Sequence, residues 1–173
     1  MKKRETAKVE AKSVDNIRLA NKSDYSAVAA AYFMANWGTG TMVVSSGNYK
    51  AADLKGVVAL DEHDKIVGMI TYAVHGNALE IVSLNATPAN QGIGSKLLTE
   101  AEHRALDDGL TMMLLTTTND NLPGLQFYMK RGYRMAKVIR GAADRAREAK
   151  RAIPVVGYGG IPVHDEILLN KAL

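Results

Sequence analysis

The sequence predicts a mixed α+β domain: a central mixed sheet with an antiparallel meander, a parallel central strand pair and flanking helices. Two observations carry this reading. Residues 56–85 hold three β-rich runs, GVVALDE, KIVGMITYAV and ALEIVSLN, separated only by short polar turns around His63-Asp64 and Gly76-Asn77. That is the pattern of an antiparallel meander. A helix-patterned stretch then separates ALEIVSLN from the apolar, β-branched run TMMLLTTT at 111–118. Those two strands are therefore expected to be parallel neighbours joined by a right-handed crossover.

The other elements follow in order. VDNIRLA, from Val14 to Ala20, reads as a first strand, and Ser23 as the N-cap of a helix DYSAVAAAYFMANW that Gly38 ends. Residues 39–55 mix strand and loop formers and receive no element. After the meander, Pro88 and two glycines lead into SKLLTEAEHRALDDG, whose Leu97, Leu98, Ala101, Ala105 and Leu106 fall on one helical face, with Gly109 as the stop. Beyond the strand at 111–118, Asn121 or Leu122 starts a helix with Pro123 in its first turn, Lys130 and Arg131 in its last and Gly132 at its end. MAKVI reads as a strand and GAADRAREAKR as a helix. The C-terminal residues finish, after a Gly-rich loop, with a strand expected at an edge or in a hairpin.

A chain of 173 residues fits one domain, and such a domain buries roughly 70 % of its unfolded surface. The apolar content of 47 % and charged content of 23 % are those of a globular protein. Residues 1–13 are rich in Lys and Glu without an apolar run and read as a flexible basic tail, leaving 14–173 as a single domain. Neither a signal-peptide core nor a membrane span is legible, so no membrane partner is expected. Cysteine is absent, which excludes disulfides and thiolate chemistry and fits a reducing cytoplasm. The net charge of +4 favours anionic partners. A polyphosphate ligand meets it as well as a nucleic acid would, and with no nucleic-acid motif present, nucleic acid is not expected. Oligomeric state is left open, a homodimer included.

Between the third meander strand and the next helix stands QGIGSK, where Gly92 and Gly94 allow a tight turn that aims successive N–H groups at one point. Together with the positive end of the helix this makes an anion site suited to phosphate. A tight connection with no ligand is the plain alternative. Spacing excludes a P-loop, because Leu97 follows Lys96, and a dinucleotide fingerprint, because position 97 is not small.

The element order, with ATPANQGIGSKLL as a pyrophosphate-binding turn and TTTNDNLPGLQFYMKRGY as a strand-helix segment, resembles the GNAT superfamily of N-acetyltransferases. In the second segment Asn121, Phe127, Tyr128, Gly132 and Tyr133 are in register with the family pattern, and Gly124 stands where Ala is usual. Ala89 stands where the first pattern has Arg or Gln, and the loop after Pro88 is about two residues short. The resemblance spans about residues 14–139 and implies acetyl-CoA as cosubstrate, with no metal. It places the cofactor along Leu84, Asn85 and Ala86 and around Gln91, Gly92, Ile93, Gly94, Ser95 and Lys96, mainly through backbone amides, with Asn121 near the pantetheine; Asn121 also reads as a helix cap.

Acetyl transfer to an amine needs the neutral amine, and for a lysine-like group of pKa about 10.4 deprotonation at pH 7 costs roughly 4.6 kcal/mol. A general base lowers that barrier. The resemblance implies Glu80 as base and Tyr128 as the general acid that protonates the leaving thiolate; a surface Glu and a core Tyr are the plain alternatives. Without cysteine, and with no nucleophile elbow, direct transfer in a ternary complex is expected. Tyr32, Phe33 and Trp37 lie where such enzymes build acceptor specificity, or else form core. His164, Asp165 and Glu166 alternate along a strand and cannot converge on one metal ion. Arg140, Arg145, Arg147, Lys150 and Arg151, interrupted by Asp144 and Glu148, read as a solvated helix face. Two function classes stand: an enzyme that acetylates a primary amine, and an acyl-CoA-binding sensor without turnover.

Overall fold

The three β-rich runs form the expected meander, and every other element builds outward from it. The computed structural model describes residues 16–173; the tail at 1–13 and the strand start at Val14 lie outside the described residues. The elements are β1 (Arg18–Asn21), α1 (Ser26–Trp37), β2 (Thr41–Val44), β3 (Gly47–Lys50), β4 (Lys55–Leu60), β5 (Ile66–His75) and β6 (Ala78–Ala86). There follow α2 (Ile93–Asp107), β7 (Met112–Thr118), α3 (Leu122–Met129), β8 (Arg134–Ile139), α4 (Ala142–Ala149) and β9 (Glu166–Ala172). Seven strands make one sheet in the order β1-β4-β5-β6-β7-β9-β8, and β2 and β3 form a separate hairpin. The β6 and β7 pair is parallel, as the crossover requires, and the other pairs are antiparallel.

Both faces of the sheet are covered, which is why its middle strands read as apolar runs instead of alternating. On one face Val57, Ala59, Ile70, Tyr72, Leu79 and Ile81 pack with Leu97, Leu98 and Ala101 of α2 and Leu125 and Tyr128 of α3. On the other, Val58, Leu60, Met69 and Val82 pack with Ala29 and Phe33 of α1 and Met42 of the hairpin. Leu97 and Leu98 are 0 % and 1 % exposed; at about 1.5–3 kcal/mol for each buried side chain, they fix α2 and with it the glycine turn that precedes it.

Four expectations change. Ser23 caps no α-helix: a 3₁₀ turn (Lys22–Tyr25), anchored by Lys22 Nζ donating to Ala51 O at 2.8 Å, comes first, and α1 starts at Ser26. Leu106 is 51 % exposed, because one step past Ala105 rotates it about 100° away from the buried stripe. Residues 39–55 contain the β2–β3 hairpin. The C-terminal strand is interior: β9 inserts between β7 and β8, hydrogen-bonded to both. The edge falls to β8, whose exposed Arg134 and Lys137 suit solvent on that side.

Candidate active site

Parallel pairing between β6 and β7 runs only from Ala78–Met112 to Ile81–Leu115. Beyond it β6 continues to Ala86 along β5, while Thr116–Thr118 of β7 pair with β9. A bulge helps to part them: Thr71 pairs with Ser83 and Tyr72 with Ile81, so Val82 is the extra residue that bends β6. The result is a wedge whose apex is Ile81–Leu115. On its β6 side lie Leu84, Asn85 and Ala86, paired to β5 alone. Leu84 and Ala86 turn their side chains into the α2-side core. Asn85 donates from Nδ2 to Asn36 Oδ1 at 3.0 Å, and its Oδ1 is buried with no hydrogen-bond partner.

At the open end of β6 the chain turns through Asn90 (φ 63°) and Gly92 (φ 78°) into α2. The left-handed conformation at Gly92 suits glycine, and the amides that open a helix have no intrahelical acceptor. The Lys96 N–H is the first to be satisfied, by Gly92 O at 3.0 Å, so the turn offers amides up to Ser95. Lys96 Nζ donates to Ile17 O at 3.1 Å. The side chain of Ile93 is 3 % exposed and belongs to the core, leaving its backbone for any ligand. A Cβ on Gly94 would sit 3.6 Å from the Phe127 ring, in ordinary contact. Gln91 flanks the turn, half-buried.

The first turn of α2 is tied to the end of α3. Arg131 stacks on Phe127, its Cζ 3.7 Å from the ring centroid, and donates to Ser95 Oγ and, at 2.7 Å, to Phe127 O. Tyr128 is 9 % exposed, edge-on to Phe127 and Tyr133; burial pushes its phenol well above the usual tyrosine range, against a smaller opposing pull from Arg131. Asn121 caps α3, accepting from Gly124 N at 3.1 Å and donating to Thr117 Oγ1 at 2.8 Å. That cap accounts for Gly124, since a Cβ there would lie 2.8 Å from Asn121 Cγ.

One residue before the apex, Glu80 turns toward the β2–β3 hairpin. It is 3 % exposed. Ser46 Oγ donates to its Oε1 at 2.5 Å, Tyr49 Oη donates to its Oε2 at 2.9 Å, and His75 Nε2 lies 3.0 Å from Oε2. Burial pushes the Tyr49 phenol up, which keeps it a donor. The surface-Glu alternative does not hold for Glu80.

On the α1 side of the sheet opens a cavity of about 300 Å³ lined by Trp37, Val44, Val82, Thr116, Lys150, Ile153 and Glu166 among others. Of the aromatic residues proposed for acceptor binding, Trp37 lines it; Phe33 is 1 % exposed and is core, with Trp37 packed against it, and Tyr32 packs against the same cluster. His164, Asp165 and Glu166 go separate ways: His164 to Asp144, Asp165 to Gly141 N, Glu166 to Ser45 N. The basic stretch is not all solvated. Arg147 donates to Ile153 O, Pro154 O and Val163 O, and Lys150 to Trp37 O and Thr41 O.

The sheet thus splays beside a glycine-led helix N-terminus, with a buried carboxylate one residue before the apex, and the fold and family together define an acetyltransferase. The chain belongs to the acetyltransferase (GNAT) family, whose profile matches residues 23–133. It is 41 % identical over 146 residues, 84 % of this chain and 92 % of the other, to the uncharacterized protein YxbD of Bacillus subtilis. Its fold is similar to that of an IAA acetyltransferase from Bacillus cereus (TM-score 0.67, 18 % identity, 91 % of this chain and 99 % of that one). It is similar as well to a GNAT family acetyltransferase from Elizabethkingia anophelis with acetyl-CoA bound (TM-score 0.65, 19 % identity, 92 % and 99 %).

Proposed function

We propose that this protein transfers the acetyl group of acetyl-CoA to a primary amine, directly and in a ternary complex. The observation that carries the reading is Glu80: a buried carboxylate beside the apex of the wedge, held by three side chains. The residues around the turn fit the cosubstrate. Free amides at Gly92, Ile93, Gly94 and Ser95 suit its pyrophosphate, and Arg131 adds a cation beside them; on the α1 side, next to Asn36, the buried Asn85 Oδ1 lacks a donor. Acetyl-CoA supplies an activated thioester carbonyl.

The chain's part is proton handling and positioning. Glu80, directly or through water, takes the proton from the ammonium so that the nitrogen lone pair can attack the carbonyl carbon. A backbone N–H of β6 beyond Ile81, with no strand partner on its β7 side, meets the negative charge that develops on the carbonyl oxygen. As the C–S bond breaks, the nitrogen loses its second proton to solvent along the same Glu80 and His75 path, while Tyr128 gives its proton to the departing sulfur and is reprotonated from water. His75, whose side chain is 49 % exposed, links Glu80 to solvent and gives the amine proton a way out. Asn121 holds α3, and hence Tyr128, by its cap.

The test is a panel of amines and alcohols assayed for free-thiol release with acetyl-CoA present. Amine-dependent release that Glu80→Gln suppresses supports the reading. Release that answers only to alcohols, or that ignores the acceptor, refutes it. Acetyl-CoA binding without any release points to a sensor.

A further inference from the structure

The cavity holds a buried carboxylate for which the proposed reaction has no use. Glu166, the first residue of β9, is 3 % exposed and lines the cavity. Its Oε2 accepts from Ser45 N at 2.9 Å. Among the described residues it makes no ion pair. The cation that shares the wall, Lys150, is turned to the carbonyl oxygens of Trp37 (3.4 Å) and Thr41 (3.2 Å) instead. Most of the remaining wall is apolar, with Val82 and Ile153 beside the Trp37 indole. A carboxylate kept from water and without a counter-charge is costly unless a cation or hydrogen-bond donors reach it. Beyond Ser45 N, the compensating group is one that the cavity admits.

Both carboxylates reach the same hairpin turn. Glu80 holds Ser46 Oγ and Glu166 holds Ser45 N, the neighbouring residue. The two carboxylates are therefore within the span of one small molecule, with a positive charge at Glu166, a spacer against Val82 and an amine whose proton reaches Glu80 directly or through water. The volume, at the lower end for ligand sites, suits an unbranched chain.

We propose that Glu166 binds a second cationic group of the acceptor, so that the substrate class is a diamine or an amine carrying another positive charge a few carbons away. This rests on the proposed amine acetylation. The test compares linear diaminoalkanes with alkylamines of equal chain length. For the wild-type protein kcat/KM is expected to be at least about tenfold higher for the diamine. Glu166→Gln keeps the volume and the acceptor for Ser45 N; it is expected to bring the diamine down to the monoamine level while leaving the monoamine within about twofold. A second readout needs no turnover. Trp37 is the only tryptophan in the chain and lines the cavity, so a diamine titrated in without acetyl-CoA should change the fluorescence saturably, with a Kd at least about tenfold weaker in Glu166→Gln. Equal kcat/KM for both acceptor types, or a preference that survives Glu166→Gln, overturns the inference and leaves amine transfer standing. A Glu166-dependent fluorescence change without thiol release upholds the cation site and refutes the transfer reading. If Glu166→Gln does not fold, the wild-type ratio and the fall of the diamine fluorescence response with added salt decide the matter, an unchanged response counting against the charge pair.

Discussion

Tyr49 donates a hydrogen bond from its hydroxyl to Glu80 Oε2 across 2.9 Å, and so joins the β2–β3 hairpin to a strand at the centre of the sheet. The consequence is energetic as well as geometric. A carboxylate that is 3 % exposed is tolerated only when its oxygens are hydrogen-bonded, and two of the three groups that do so, Ser46 and Tyr49, come from that hairpin. The hairpin also supplies Met42, Val43 and Val44 to the cavity wall. It thus orients the proposed base and shapes the proposed acceptor cavity at once.

Removing the Tyr49 hydroxyl should therefore act on chemistry more than on cosubstrate binding. Tyr49→Phe is expected to lower kcat by about tenfold, the cost of one hydrogen bond to a charged group at the lower end of its range, about 1.5 kcal/mol, with the KM for acetyl-CoA within about twofold. Glu80→Gln should lower kcat by about a hundredfold or more and flatten the acid limb of the pH profile, since a base accepts a proton only when ionised. A steady-state series over pH with both variants decides it: an unchanged acid limb in Glu80→Gln removes Glu80 from the proton path.

Gly68, in the middle of β5, is a packing requirement of the glycine turn. A Cβ there would lie 2.8 Å from Ile93 Cγ2, 2.9 Å from Leu97 Cδ1 and 3.2 Å from Asn85 O. It would push the first turn of α2 off the sheet. Gly68→Ala is expected to cost about 1–3 kcal/mol of stability and to weaken acetyl-CoA binding by about tenfold, with a smaller effect on the acceptor KM. Thermal unfolding and a CoA titration measure both; wild-type CoA affinity in the folded variant would mean that the turn does not hold the cosubstrate.

The fold was legible wherever one local pattern ran long enough. The apolar runs of β4, β5, β6 and β7, the stripe Leu97, Leu98, Ala101 and Ala105, and the Asn121-Pro123 start of α3 each announce their element. The insertion of β9 between β7 and β8 was not legible, because strand order is decided by which edges pair and not by any local period. Nor was the hairpin, whose four-residue strands are too short to show alternation. The site divides the same way. The glycine turn, Glu80 and Tyr128 stand in recognisable local sequence. Ser46, Tyr49 and Glu166 are joined to the site by bonds spanning 34, 31 and 121 residues, and nothing near them in sequence points to it. Gly68 left a trace, since a glycine inside a strand pattern signals a close approach.

Tyr128 offers the sharpest separation of chemistry from packing. Its ring is core, 9 % exposed between Phe127 and Tyr133, and Tyr128→Phe keeps that ring. Burial raises the pKa of both Tyr128 and Tyr133 well above that of an unfolded tyrosine, about 10. Tyr128 thus holds its proton throughout the neutral and mildly alkaline range, ready to donate. Below pH about 10 both phenols are protonated in the folded and the unfolded chain, and they add no pH dependence to stability. Above it the unfolded chain loses those protons while the folded chain keeps them, so stability falls by about 1.4 kcal/mol per pH unit for each group until the folded pKa is passed. Tyr128→Phe should therefore leave stability near pH 7 within about 1 kcal/mol and make the alkaline decline shallower by one group's share. General acid–base catalysis is typically worth about 10²- to 10⁴-fold; a thiolate leaves fairly well unaided, so kcat is expected to fall by roughly tenfold to several-hundredfold. Acetyl-CoA affinity should stay within a few-fold, because a proton given only as the C–S bond breaks adds little to ground-state binding. Turnover at the wild-type rate in a folded Tyr128→Phe variant would make Tyr128 a packing residue and nothing more.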